Sequence, residues 1–263
     1  MQPIPLILNS FSVLKFSGEQ SQTFLQGQLT CDMRELDAHG KSSLAACCDH
    51  RGRMIANFWV VNDHHTFLFI LPKNMRDVVQ NHLQKYAVFS KVLISQENNF
   101  FIYALSHTFL KQPFSDSVYI PLSNKERFLM LTENNHFADI ETSTDETDWK
   151  KNNITDQLCI LYPETSLLFT PQMIALEKLG GVSFTKGCYV GQEIVARTEH
   201  LGTLKRHLHQ RTIRSDHTPL PGDKLKNNTD EAIGVIVECV KMTGNEYDTL
   251  AVIEDRAINE NIL

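Results

Sequence analysis

Apolar and polar residues alternate along Phe11-Ser-Val-Leu-Lys-Phe16, and this period near two predicts a strand. Ser17-Gly18-Glu19 follows, and Phe24, Leu25 and Leu29 then recur at helical spacing. A helix capped at Ser17 or Gly18 is predicted, with those three residues facing a core. Leu44–Cys48 and Met54–Val61 are strand-like on either side of Asp49-His-Arg-Gly52. Asn62-Asp63 separates Phe58–Val61 from Thr66–Leu71, the pattern of a hairpin. Over residues 73–87, Val78, Val79, Leu83 and Tyr86 return to helical spacing, and Phe100–Leu105 is a further strand. Thr170-Pro171 has the form of a helix start, with apolar Met173, Ile174, Leu176 and Leu179 behind it and Gly180-Gly181 closing it. Beyond about residue 200 helical periodicity disappears. Leu208–Ile213, Ile233–Val240 and Thr249–Ile253 are β-rich and divided by turns, which predicts a separate small β-barrel or sandwich over 201–263. Helices mixed with antiparallel hairpins indicate an α+β fold rather than a doubly wound sheet.

Composition narrows the class. The 263 residues are 42% hydrophobic and 21% charged, as in globular proteins, which excludes whole-chain disorder and a disulfide scaffold. No apolar run approaches the ~20 residues that span a bilayer. Met1–Asn9 lacks a basic segment and is broken by prolines, so no signal peptide and a cytoplasmic location are expected. The net charge is −6, with no global nucleic-acid signature. Residues 186–214 carry a local net +4, suited to an anionic tail or an RNA backbone, or to a solvated rim. Six acids and no Lys or Arg fall in 133–148, a solvated loop or a helix start. The six cysteines form no C-x-x-C pair, so no metal finger is indicated. His64-His65 fits a hairpin turn without a ligand role, and His207-x-His209 has no acid or cysteine at a metal-site spacing; no metal site is expected. Rossmann, P-loop and G-x-S-x-G motifs are absent from the sequence.

The chemically dense stretch is Gly180–Arg197. It holds glycines at 180, 181, 187 and 191 interleaved with Lys186, Cys188, Gln192, Glu193 and Arg197. That glycine density means tight turns or close backbone approach. Cys188 follows Lys-Gly and precedes a predicted helix, a setting that favours the thiolate; the bland alternative is a small residue in a tight turn. Gln192 and Glu193 suit hydrogen bonding to a polar heterocycle, or simply helix capping.

Lys186-Gly-Cys-Tyr-Val-Gly-Gln-Glu193 resembles the K-G-C-[FY]-x-G-Q-E signature of the YgfZ family, folate-binding proteins related to the T-protein (aminomethyltransferase) of the glycine cleavage system. Phe24–Asp32, Lys85–Val92 and Pro163-Glu-Thr-Ser166 leading to Pro171-Gln172 agree in the same order. The resemblance spans about residues 11–206. It implies a T-protein-like fold of two sequence-intertwined α/β lobes (1–200) and a C-terminal β-barrel (201–263) around a central cavity. It implies tetrahydrofolate as ligand, and a role in assembling or repairing iron–sulfur clusters in client enzymes, among them radical enzymes that modify tRNA. Cys188 would be the functional residue, with Lys186, Tyr189, Gln192, Glu193 and Arg197 around it. Trp149, and Phe11 where relatives can carry a second tryptophan, would contact folate; an indole stacks on a pterin. One departure stands out. T-proteins carry an essential aspartate on the strand after the Asp-x-x-Gly turn, where this chain has Ala56 and Asn57. Without that carboxylate, folate-dependent aminomethyl transfer is the less favoured alternative. A second departure is the absence of glycine from Asp156–Tyr162, where relatives often have one.

Overall fold

A computed structural model describes residues 4–122, 126–258 and 260, with Lys111 as backbone only. The β-branched and aromatic runs form β1 (Leu6–Ile7), β2 (Phe11–Ser17), β3 (Ser42–Cys48), β4 (Met54–Asp63), β5 (Thr66–Pro72), β6 (Leu93–Glu97), β7 (Phe101–Ser106), β8 (Val118–Pro121), β9 (Arg127–Thr132), β10 (Arg206–Arg214), β11 (Lys224–Lys226), β12 (Ala232–Lys241) and β13 (Glu246–Glu254). The helices are α1 (Ser21–Gln26), α2 (Arg76–Ala87), α3 (Thr147–Thr155) and α4 (Gln192–Leu201). Three antiparallel sheets result: β3-β4-β5-β2-β6, β1-β7-β9-β8 and β10-β13-β12-β11. The chain is α+β. Its first strand, β1, pairs with β7 in the second sheet, whereas β2 onward builds the first.

The first sheet buries Phe16, Phe58 and Phe69 against α1 and α2. Val79 and Leu83 line the buried face of α2 as their spacing predicts, with Val78 partly buried beside them, whereas Tyr86 is exposed and Ala87 takes the last buried position. Trp59, Trp149, Leu129 and Leu158 fill the junction between the first and second sheets.

The predicted C-terminal barrel does not form. Among the described residues the third sheet is open, with β10 and β11 as its edges. Closure would need β11 to pair along β10, but β11 has three residues with a register irregularity, against nine paired positions between β10 and β13. Alternation along β13 explains the alternative. Leu250 and Val252 pack with Ile154, Cys159 and Phe169 from earlier in the chain, while Tyr247, Ala251 and Ile253 form a second small core with Ile213 and Ile236. Both faces are covered without closure.

Two helix expectations also change. Gly18, at φ +120°, forms a turn against the Lys91 carbonyl, so α1 starts at Ser21 rather than at a Ser17 or Gly18 cap. The helix expected after Thr170 is only a 3-10 turn, Pro171–Ile174, and Thr170 makes no side-chain cap. Ala175 turns left-handed at φ +54° and ends it, and Gly181 closes tightly on Leu176.

Candidate functional site

Two sequence blocks 160 residues apart meet in one clamp. Thr30 accepts the Ser183 N–H at its carbonyl, donates its hydroxyl to the Gly181 carbonyl at 2.6 Å, and accepts the Ala46 N–H at 2.8 Å. The Lys186 Nζ then donates to the carbonyls of Gln26, Leu29 and Cys31, at 2.7, 2.8 and 2.7 Å. Val190 N–H closes the loop onto the Gly27 carbonyl. Gly191 sits at φ +84° against the β3–β4 turn, and a Cβ there would lie 2.5 Å from the Asp49 carbonyl oxygen. These contacts explain the glycine: both the backbone angle and the space exclude a side chain.

The clamp buries Lys186 and Tyr189 and leaves Gly187 and Cys188 exposed between them. Lys186 lies 5.1 Å from the Tyr189 ring centroid, a cation–π contact. Burial pushes the Lys186 ammonium down to about 8, opposed by nearby Cys31 and Asp32. All three ammonium hydrogens are taken by carbonyls, so Lys186 serves the loop's shape and is not the thiol's neighbouring cation that the sequence suggested. Burial raises the Tyr189 phenol, whose buried hydroxyl has no hydrogen-bond partner among the described residues. Asp32 accepts from the Arg34 guanidinium at 2.6 Å and is held below the usual carboxylate range. It also accepts from Gln26, tying the clamped segment together.

The cysteines separate by environment. Cys31, Cys47, Cys48 and Cys159 are buried and Cys239 is half-buried, whereas Cys188 is exposed. Desolvation lifts Cys31 and Cys47 to about 12 and Cys239 to about 11, which makes them inert thiols at neutral pH. Gly191 starts α4 without a side-chain cap, Glu193 occupies its first turn, and Gln192 is half-buried. Glu193 and Arg197 are exposed, so both reach solvent on the same helix.

Phe11 and Trp149 form a different group. Their rings meet edge-on at 5.9 Å, and Trp59 joins at 6.3 Å from each. Trp149 is 3% exposed, and the Arg127 guanidinium stands 5.3 Å from its ring centroid; Arg127 pairs in turn with Asp156. A cleft of about 740 Å³ opens beside Trp149, with Arg127, Asp148, Asn152 and Asp156 in its walls. A second cavity of about 300 Å³ lies over Trp59, between Ser42–Leu44, Ile120–Leu122 and Leu158.

Trp59 pairs across the ladder with Leu44, and the loop glycine touches Cys48 and Asp49. The aromatic cluster and the Cys188 loop therefore meet β3 at Leu44 and at Cys48, roughly 13 Å apart along the strand at 3.3 Å per residue. Trp59 escaped the sequence reading. Its signal was period two: it shares a strand face with Asn57. Asn57 is buried and ties the first sheet to the irregular segment after α3, donating to the Cys159 carbonyl at 2.7 Å and accepting the Leu161 N–H at 2.9 Å. The amide standing near the T-protein carboxylate position is thus committed to backbone.

Of the six cations in the 186–214 run, two are paired with carboxylates and two are bound to backbone carbonyls. Lys186 is consumed as above. Arg206 pairs with Glu254, Arg214 with Glu246, and Arg211 donates to the Ile258 carbonyl. His207 pairs with Asp255 at 2.5 Å. Among the described residues, no helix is long and apolar enough to cross a membrane.

No family profile matches the chain. Individual proteins do. It is 31% identical over 250 residues to the tRNA-modifying protein YgfZ of Sodalis glossinidius, and 32% over 259 residues to that of Enterobacter sp. strain 638. Each alignment covers 85% of this chain and 76% of the relative. The YgfZ of Pectobacterium carotovorum aligns over the whole chain and 87% of its own length, at 28% identity. Among solved structures, aminomethyltransferase T of the glycine cleavage system from Bartonella henselae superposes with a TM-score of 0.69 over 95% of this chain and 78% of that one, at 13% identity. That level of identity is a likeness of fold.

Proposed function

Because this chain belongs to the YgfZ family, we propose that it binds a reduced folate and supports assembly or repair of iron–sulfur clusters in client enzymes, including radical enzymes that modify tRNA, with Cys188 as the working residue. The observation that carries this reading is the exposed thiol on an anchored loop. Lys186 and Tyr189 are buried on either side of it, and the three-carbonyl clamp fixes the loop. An exposed cysteine can become a thiolate, which is both a nucleophile and an iron ligand. A cluster takes about four ligands, so a single thiol acts with ligands of the client, and the iron is cargo.

The residues fit a folate at the aromatic cluster. The cleft beside Trp149 lies within the ~300–1,000 Å³ range of small-molecule sites. It offers an indole edge, and the exposed Asp148 carboxylate in its wall can accept from pterin N–H groups. When bound, a reduced folate supplies an electron-rich pterin that carries one-carbon units. Asn57, bonded to the Cys159 and Leu161 backbone, disfavours aminomethyl transfer. The pairing of Arg206 and Arg214 disfavours direct RNA binding through the 186–214 run.

Two measurements test the proposal. Cys188→Ser is expected to leave stability unchanged within about 0.5 kcal/mol, because the residue is exposed, and to abolish rescue of a strain lacking the gene. Normal rescue would remove Cys188 from the function. Anaerobic titration with tetrahydrofolate, followed by calorimetry and tryptophan fluorescence, should saturate in the wild type and weaken in Trp149→Phe. No heat and no quenching would remove the folate.

A further inference from the structure

The tip of the β4–β5 hairpin carries three metal-type donors that the sequence keeps apart. His39 comes from the turn before β3; Asp63 and His64 come from the end of β4 and the hairpin turn. The imidazoles of His39 and His64 stack with centroids 4.0 Å apart and planes 8° apart. His39 Nδ1 lies 3.4 Å from the Asp63 carboxylate. One ligand atom from each residue falls within 4.8 Å of the other two. A tetrahedral ion with bonds of about 2.0–2.1 Å needs its donors roughly 3.4 Å apart; because the ion lies in the plane of each imidazole that binds it, one of the two exposed rings turns out of the stack to close the set.

The backbone holds these donors in place. His64 and His65 both have positive φ, +48° and +70°, as a type I′ turn requires. Asn-Gly or Asp-Gly normally occupies those positions, because a Cβ is strained there. The chain nevertheless places histidines there. Asn62, almost fully buried, locks the two turns to each other. Its side chain donates to the Leu36 carbonyl at 2.6 Å and accepts the His65 N–H at 3.1 Å. Its backbone accepts the Gly40 N–H and donates to the Lys41 carbonyl, both at 2.9 Å. The same three donors line one wall of a cavity of about 340 Å³, with Asp116, Glu133 and Asn134 in its other wall. The added carboxylates favour a cation there.

We infer that His39, Asp63 and His64 form a binding site for a divalent transition metal of the zinc class, with a coordination position open to the neighbouring cavity. Two imidazoles and a carboxylate are a donor set of zinc sites, and three protein ligands leave the fourth position free. Magnesium and calcium, which prefer all-oxygen ligands, are excluded by the imidazoles.

The test uses the untagged full chain, titrated with zinc chloride by calorimetry and with cobalt(II) by absorption. Wild type is expected to take one zinc ion through this site. His39→Ala and His64→Gly should each weaken that binding by at least about tenfold. His65→Asn should bind as the wild type does. His64→Gly relieves the turn, so loss of binding in that variant cannot be loss of fold. The cobalt spectrum should lack the near-ultraviolet band of a thiolate ligand, separating this site from Cys188. Absence of zinc binding in the wild type, binding that survives both His39→Ala and His64→Gly, or a thiolate band that accounts for all the bound cobalt would each overturn the assignment.

Discussion

Replacing Lys186 with Met separates a loop clamp from a ligand-binding lysine. The substitution keeps most of the side-chain volume and removes the ammonium, so the carbonyls of Gln26, Leu29 and Cys31 lose a shared donor. An unsatisfied buried acceptor costs about 1–3 kcal/mol. The bonds to Leu29 and Cys31 are buried, while that to Gln26 is part-buried, where water can substitute. Removal of a buried cation returns part of its desolvation cost. The net expectation is a loss of about 3–5 kcal/mol, equivalent to a Tm lower by roughly 6–20 °C at ~2–4 °C per kcal/mol for a chain of this size. Thermal and urea unfolding measure it. Hydrogen exchange should show the Val190 amide, bonded to the Gly27 carbonyl, losing protection first. The pH dependence supplies a second readout. Between about 8 and the ordinary lysine value, the unfolded chain still holds a proton that the folded chain has released. Wild-type stability relative to Lys186→Met therefore rises with pH across that window and is flat below it. A Lys186→Met protein that keeps its Tm within about 2 °C, with Val190 exchange unchanged, would refute the clamp.

Gly191→Ala places a Cβ 2.5 Å from the Asp49 carbonyl oxygen at φ +84°; a destabilisation of at least about 3 kcal/mol is expected in denaturant unfolding, and Gly187→Ala, with open space around it, should cost far less. Asp32→Asn should flatten the acid limb of the stability curve. The wild-type carboxylate titrates below its unfolded value, so its contribution is present above about pH 4 and is lost as pH falls further; an unchanged acid limb would show that Arg34 does not hold it. Asn57→Asp puts a carboxylate oxygen against the Cys159 carbonyl and should cost about 2–4 kcal/mol at pH 7. Its folded pKa is raised, so the loss should shrink as pH falls toward 4, which unfolding at pH 5 and 7 would show.

Local patterns in the chain determined much of this protein. Alternation placed β2, and apolar β-rich runs bounded by turn residues placed β4, β5, β12 and β13, with β4 and β5 buried on both faces, because a strand records its burial in its own sequence. Helical spacing placed α2 for the same reason. The Gly-rich signature marked the loop that presents Cys188, and the blocks around it marked the family. Tertiary structure decided the rest. Whether the C-terminal strands close into a barrel depends on the length of β11 and on Ile154 and Phe169 covering one face, neither of which strand periodicity records. The part played by Lys186 depends on carbonyls 155–160 residues away, so a lysine next to a cysteine in sequence points elsewhere in space. Trp59 gains its place beside Trp149 only when the first two sheets pack. His39 meets His64 only because the buried Asn62 joins two turns. Periodicity reports which face of an element is dry; the choice of partner for a buried charge or a distant side chain belongs to the packed chain as a whole.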